Sequence, residues 1–103
     1  MGIFGMFSQK DTDENIKSYL SNGAIVLDVR TQQEWDEEHL EVAKHIVLNT
    51  IPEHVEELKS LNTSIIAVCK SGGRSEQATQ YLNSLGLDVI NGGPWQNVAQ
   101  FIN

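Results

Sequence analysis

Short apolar runs alternate with helical patterns along the chain, and this alternation restricts the possible folds more than any other feature. Residues 24–29 (AIVLDV) and 64–69 (SIIAVC) are apolar, β-branched runs, the pattern of strands buried on both faces. Helical patterns fill residues 11–21 and 74–85, and a glycine follows closely after each of them as a stop signal. Parallel strands need crossover connections, so the alternation predicts an α/β domain with a mainly parallel sheet.

Shorter elements complete this prediction. Thr31, followed three residues later by Glu34, forms a capping box at the start of a short helix. We expect strands at residues 45–48 and 87–90. Two more helices are expected to begin at the prolines, Pro52 and Pro94.

The chain has 103 residues and one cysteine, and both numbers exclude classes of protein. The length suits one domain, which we expect to span residues 1–103, with residues 1–8 as a loosely attached segment. A single cysteine can form neither an internal disulfide nor a four-cysteine zinc site. The net charge of −7 argues against nucleic acid and anionic membranes as partners. The apolar start is too short for a signal peptide, so we expect a cytoplasmic protein. We also expect the protein to be a monomer.

The most informative segment follows the second buried run and reads Cys69-Lys-Ser-Gly-Gly-Arg-Ser75. It predicts a strand that ends at the cysteine, a glycine-rich loop, and a helix beginning at Arg74. Ligands of parallel sheets bind beyond the carboxyl ends of the strands, where this order places the thiol. Loop amides and a helix N-terminus favour negative charge and lower the pKa of a nearby thiol. We therefore predict a nucleophilic Cys69 thiolate; the competing interpretation is a small buried hydrophobic residue.

The charged residues are unevenly distributed. Residues 31–60 carry eight acidic and two basic side chains, whereas residues 61–103 carry two of each. Both bases of the second region, Lys70 and Arg74, lie close to Cys69 in the sequence. The loop can therefore attract a small anion although the chain as a whole is acidic.

Four segments, in this order and spacing, resemble the motifs of the single-domain rhodanese-like family. Residues 27–35 contain LDVR and EW, which resemble the first motif. Residues 38–52 contain EHL, then Ala and Ile, then LNTIP, and resemble the second. Residues 69–75 resemble the active-site loop, and residues 92–95 (GGPW) resemble the C-terminal signature. The resemblance covers the chain from about residue 9 to residue 103.

The resemblance implies the rhodanese-like three-layer fold, with a central, mainly parallel, five-stranded sheet and helices on both faces. It also implies a thiosulfate sulfurtransferase, in which Cys69 attacks the outer sulfur of thiosulfate or a polysulfide and becomes a persulfide. Cyanide, a thiol or a protein then accepts the sulfur, and no metal or organic cofactor is needed. The substrate-binding residues implied by position are those of the loop: Lys70, Ser71, Gly72, Gly73, Arg74 and Ser75.

A sulfur carrier or protein-interaction module with little small-molecule turnover is the alternative, because it would need the same loop. Four residues separate Cys69 from Arg74, whereas related phosphatases have five. The shorter loop offers fewer amides, which favours one sulfur atom over a tetrahedral phosphate. Val42 and Val47 stand where the family usually has Gly and Pro.

Asp28 and Arg30 flank the end of the first buried run and are candidates to support the site. Either Arg30 faces the mouth of the site, or the two residues form a structural ion pair with Glu34 or another neighbour. The three histidines have the wrong spacing for a metal site; they are His39, His45 and His54. Because the domain is small, we expect Cys69 to lie in a shallow, open mouth that a thiol or protein acceptor can reach.

Overall fold

The computed structural model describes residues 9–102. The apolar start of the chain, with the expected loose segment 1–8, lies outside the described residues. The elements in chain order are α1 (Gln9–Ser21), β1 (Ile25–Asp28), α2 (Gln32–Glu37), β2 (Lys44–His45), a 3₁₀ helix (Leu48–His54), α3 (Val55–Ser60), β3 (Ile65–Cys69), α4 (Gly73–Ser84), β4 (Val89–Pro94) and α5 (Trp95–Ala99).

The sheet is fully parallel over the described residues, with the strand order β2-β1-β3-β4. All five residues of β3 are buried, because this strand has a neighbour on each side and helices on both faces. Within the described residues the sheet has four strands, whereas the family resemblance predicted five. The four extended runs of residues 9–102 are all used in these strands, so no segment there is left to form a fifth.

Helices cover both faces of the sheet, as predicted. On one face, Leu27, Ile65 and Ala67 belong to a buried cluster with Leu58 of α3 and Leu82 of α4. The side chains of the other face pack against α1 and α5; this cluster contains Ile16, Val26, Ile66, Val68, Trp95 and Val98. The alternation of side chains along β3 thus divides the core into two layers.

The edge strand β2 is shorter than predicted and the helix after it begins earlier. β2 ends at His45, and the 3₁₀ helix starts at Leu48 rather than at Pro52. Both the amide and the hydroxyl of Thr50 donate to the Val47 carbonyl at 2.8 Å, which turns the chain away from the sheet. The short helix α2 has the predicted capping box between Thr31 and Glu34.

β4 contains a bulge close to the site. Ala67 of β3 pairs with Asn91, whereas the next residue, Val68, pairs with Gly93, so Gly92 has no partner across the ladder. The strand also runs four residues further than predicted, to Pro94. The bulge places Asn91 and Gly93 beside the loop that follows β3. No helix within residues 9–102 has the length and apolar character needed to cross a bilayer.

Candidate active site

Cys69 is the last residue of β3, and the loop after it folds back over its sulfur. The sulfur lies 3.0 Å from the amide nitrogen of Gly72, 3.4 Å from that of Ser75 and 3.3 Å from the Ser75 hydroxyl. Gly72 has φ +106°, a conformation that side-chain-bearing residues rarely adopt, and α4 begins directly after it. The sequence pattern of strand, glycine loop and helix therefore builds a set of donors around one atom.

The Cys69 sulfur is poised to carry negative charge. Burial raises the pKa of the thiol, because it disfavours the charged form. The Ser75 hydroxyl and the amides of Ser75, Gly72 and Ser71 can all donate to a Cys69 thiolate, and together they outweigh the effect of burial. The pKa of Cys69 is therefore lowered from its ordinary value, as expected for a nucleophilic cysteine.

Cys69 itself has no exposed surface, which differs from the open mouth expected from the sequence. The loop amides converge on the sulfur and cover it. Two crevices open on either side of the loop. One of about 530 Å³ is lined by Ser71, Gly72 and Asn91 among others, and one of about 240 Å³ by Arg30, Glu37 and Lys70 among others.

The guanidinium of Arg74 is paired with a carboxylate and is not free to bind an anion. Its guanidinium makes two hydrogen bonds to the carboxylate of Glu34, of 2.7 and 3.0 Å. These bonds, and the amide of Thr31 at the helix start, hold the pKa of Glu34 far below its usual range. The pKa of Arg74 is raised in turn by the same carboxylate. Of the two loop cations, Lys70 is exposed, and Arg74 is compensated by Glu34.

Asp28 and Arg30 form a buried ion pair at the end of β1. Nε and Nη2 of Arg30 donate to the Asp28 carboxylate at 2.8–3.0 Å. Nη2 also donates to the Glu38 carbonyl, and the guanidinium lies 5.3 Å from the centre of the Trp95 ring. Of the two interpretations given above for Asp28 and Arg30, this geometry is that of a structural ion pair. The carboxylate partner of Arg30 is Asp28 and not Glu34.

The histidines serve local contacts in this structure. The rings of His39 and His45 stack on Trp35, with centroids 3.6 and 4.5 Å away, and each ring bonds a backbone carbonyl. His54 bonds Glu57. Within the part of the chain that the structure describes, no three His, Cys, Asp or Glu residues are grouped to hold a metal ion.

Asn91 is a site residue that the sequence analysis missed. Its Oδ1 accepts from the Ser75 hydroxyl at 2.6 Å and from the Gly93 amide at 2.9 Å. Its Nδ2 donates to the Gly72 carbonyl at 3.0 Å. An asparagine before two glycines indicates a turn, and the strand was expected to end at residue 90, so no pattern in the sequence pointed to a role for Asn91 at the site.

Two proteins of Bacillus subtilis are similar to this chain in sequence. The candidate sulfur carrier protein YrkF of Bacillus subtilis is 34% identical over 87 residues, which are 82% of this chain and 42% of that protein. The candidate sulfurtransferase YtwF of the same organism is 33% identical over 66 residues, which are 64% of this chain and 63% of that protein. The chain thus spans less than two thirds of the length of either relative.

A solved structure and a family model are also similar to this chain. The crystal structure of SSP1007 from Staphylococcus saprophyticus superposes with a TM-score of 0.67 at 32% identity, covering 80% of this chain and 84% of that one. The model of the rhodanese-like domain matches residues 9–94, which include the strand, loop and helix around Cys69. The chain therefore belongs to the rhodanese-like domain family.

Proposed function

We propose that this chain is a sulfurtransferase that carries sulfane sulfur as a persulfide on Cys69. The observation that supports this most directly is the convergence of the Gly72 amide, the Ser75 amide and the Ser75 hydroxyl on one sulfur atom. Donors placed in this way stabilise a thiolate before reaction and a charged outer sulfur after it. The names of two relatives, a candidate carrier and a candidate sulfurtransferase, point to the same chemistry.

In the proposed first step, the Cys69 thiolate attacks the outer sulfur of a donor such as thiosulfate or a polysulfide. With thiosulfate, a new bond forms from Sγ to the outer sulfur, the S–S bond of the donor breaks, and sulfite leaves with the electron pair. The negative charge moves to the outer sulfur of the persulfide. The loop residues 70–75 would hold this atom with their backbone amides.

In the proposed second step, an acceptor removes the outer sulfur. Cyanide or a thiolate attacks that atom, the Sγ–S bond breaks, and Cys69 leaves as the thiolate, so that thiocyanate or a new persulfide is formed. The chain has no second cysteine to take the sulfur. The sulfur must therefore pass to an external acceptor.

The mass of the intact protein after thiosulfate treatment tests this proposal. We expect a gain of one sulfur atom, loss of that gain on addition of cyanide, and no gain in the Cys69→Ser variant. Because Cys69 is the only thiol, no other residue can give this pattern. A wild-type protein that gains no sulfur from thiosulfate, a polysulfide or a protein persulfide would contradict the proposal.

A sulfur carrier with little small-molecule turnover is the second candidate, and two observations favour it. The Cys69 sulfur is covered by its loop, and the Arg74 charge that would attract a small anion is compensated by Glu34. Loading from a protein persulfide with negligible thiosulfate:cyanide turnover would identify the carrier. Rapid turnover with thiosulfate, lost in Cys69→Ser, would identify the enzyme.

A further inference from the structure

Asn91 of β4 connects the end of the sheet to the site, and its neighbours fix the orientation of its amide. The Gly93 amide lies 2.9 Å from Oδ1 and can only donate. The Gly72 carbonyl and Oε1 of Glu76 lie 3.0 and 3.1 Å from Nδ2 and accept. If the oxygen and nitrogen of the Asn91 amide were exchanged, its NH₂ group would face the Gly93 N–H, so that two donors met. Its oxygen would face the Gly72 carbonyl and the Glu76 carboxylate, so that acceptors met acceptors. Oδ1 therefore faces the Gly93 amide and the Ser75 hydroxyl.

The Ser75 hydroxyl has one proton and three acceptors within reach. Its Oγ is 2.6 Å from Oδ1 of Asn91, 3.2 Å from the Gly72 carbonyl and 3.3 Å from the Cys69 sulfur. Oδ1 carries no proton, so the short contact requires the Ser75 proton to point towards Asn91. Ser75 then presents a lone pair to the sulfur. That arrangement suits a thiol, which donates its own proton to Oγ.

A thiolate changes this balance, because two lone pairs repel each other. The Ser75 proton must then turn from Asn91 to the Cys69 sulfur, and the 2.6 Å bond to Oδ1 is lost. In a persulfide, by contrast, Sγ is bonded to two atoms and uncharged, and the charge lies on the outer sulfur. The Ser75 hydroxyl can then keep its hydrogen bond to Asn91, because no thiolate is present for its lone pair to repel.

We propose that Asn91 is a positioning residue that competes with the Cys69 thiolate for the Ser75 proton and so favours the sulfur-loaded site over the empty one. The second half of this proposal rests on the proposed sulfur transfer. The competition for the proton does not, because it concerns the thiol and thiolate alone. Asn91 acts on the sulfur through the Ser75 hydroxyl, and its bond to the Gly72 carbonyl serves to fix the orientation of its amide.

The other charged groups around the sulfur are accounted for by their partners. Arg30 is paired with Asp28, Arg74 with Glu34, and Glu76 accepts from Asn91. Lys70 is exposed at the start of the loop. These charged residues are retained in every variant of the test. Only Glu76 loses a partner when Asn91 is replaced, and it loses that partner equally with and without the Ser75 hydroxyl, so a double-mutant cycle cancels its effect on the thiol.

A double-mutant cycle tests the proposal, with the pH dependence of Cys69 alkylation by iodoacetamide as the readout. Asn91→Ala frees the Ser75 hydroxyl to donate to the thiolate. We therefore expect the pH midpoint of alkylation to fall by about one unit, which raises the thiolate fraction about tenfold at a pH below the midpoint. Ser75→Ala removes a donor and should raise the midpoint. In the Ser75→Ala background, Asn91→Ala should have little further effect.

Asn97→Ala is the matched control, because it truncates another asparagine that lines the same crevice, and Asn97 donates to the Gly92 carbonyl. We expect it to leave the midpoint unchanged. If Asn91→Ala does not fold, Asn91→Asp serves in its place; its carboxylate holds the Ser75 proton more firmly, so the midpoint should rise, and the rise should shrink when Ser75 is alanine. A rise with Asn91→Ala, a fall with Asn91→Asp, or a shift of equal size without the Ser75 hydroxyl would overturn the proposal.

The loaded state gives an independent readout. Sulfur release makes Cys69 the leaving thiolate, so persulfidated Asn91→Ala should pass its sulfur to cyanide several times faster than the wild type. An unchanged or slower release would contradict the claim that Asn91 favours the loaded state. A wild-type protein that cannot be loaded by any donor would instead count against the proposed function, and the alkylation cycle would still decide the competition for the proton.

Discussion

Glu34 has two separate tasks in one short helix. Its Oε1 accepts from the Thr31 amide at 3.0 Å in the capping box, and the same carboxylate binds the Arg74 guanidinium of the loop that follows Cys69. The first task begins α2 and the second fixes the loop cation. Because a paired guanidinium attracts a passing anion less than a free one, we expect Glu34 to lower the attraction of the loop for a small anion such as the proposed donor thiosulfate.

Glu34→Gln should separate these two tasks. Glutamine retains an oxygen for the Thr31 amide, as capping boxes commonly do, but it removes the charge that compensates Arg74. We expect the rate of Cys69 loading by thiosulfate to rise about threefold to tenfold at low salt, with the gain lost as salt screens the charge. Loading is measured from the mass of the protein at early times.

Glu37→Gln is the matched control for that change. It alters the net charge equally, in the same helix and beside the same crevice, while the Glu34–Arg74 pair stays intact. We expect a smaller gain in loading rate. Equal gains from both variants would mean that overall charge, and not the pairing of Arg74, limits the donor.

Single residues of the site divide into those that the sequence predicts and those that it cannot. Cys69 and the loop 70–75 were predictable, because a buried strand, a glycine turn and a helix start are local patterns. Asn91 lies 16 residues from Ser75, and Glu34 lies 40 residues from Arg74. Contacts at such distances along the chain depend on strand order and register, which no local pattern encodes.

At the scale of elements, β4 must approach both β3 and α5 closely, and Gly92 makes this possible. A Cβ added to Gly92 would lie 2.7 Å from methyl groups of Ile66 and Val98 and 3.1 Å from one of Val68. These three side chains are fully buried, so they cannot move aside without disturbing the core. The bulge in β4 and the docking of α5 therefore depend on this glycine.

Gly92→Ala should destabilise the protein by about 1–3 kcal/mol, because it overfills the layer between β3 and α5. Urea unfolding followed by circular dichroism measures the change. Gly73→Ala is the control, since a Cβ there meets no atom within 4 Å and its φ is not in the left-handed region. A loss as large for Gly73→Ala as for Gly92→Ala would show that steric overlap at Gly92 is not the cause.

The helices and buried strands were predictable at this scale because their apolar periodicity is strong. The exception is residues 45–48, where an apolar, β-branched run predicted a strand and the structure has a two-residue strand followed by a 3₁₀ helix. Hydrogen bonds from Thr50 to the Val47 carbonyl prevail over the β propensity of this run. At the edge of a sheet, a local turn can prevail because only one neighbouring strand opposes it.

For the whole molecule, the Asp28–Arg30 pair connects the end of β1 with the segment after α2 and with α5. It is buried at the end of β1, where Arg30 also donates to the carbonyl of Glu38 beyond α2 and lies against Trp95 of α5. His45 of β2 bonds the Arg30 carbonyl at 2.8 Å. The arginine therefore holds together the corner from which the site is built, although it does not contact the Cys69 sulfur.

Asp28→Asn should lower the free energy of unfolding by about 3–5 kcal/mol, because it leaves the Arg30 charge buried without a counter-charge. That is a large part of the roughly 5–15 kcal/mol available to a domain of this size. Lys44→Ala is the comparison, since it breaks an ion pair with Glu57 at the surface and should have a much smaller effect on the free energy of unfolding. Urea denaturation at neutral pH measures both. Similar losses from the two variants would mean that burial does not distinguish these pairs, and that the corner at Asp28 is held by packing against Trp95 and α2 instead.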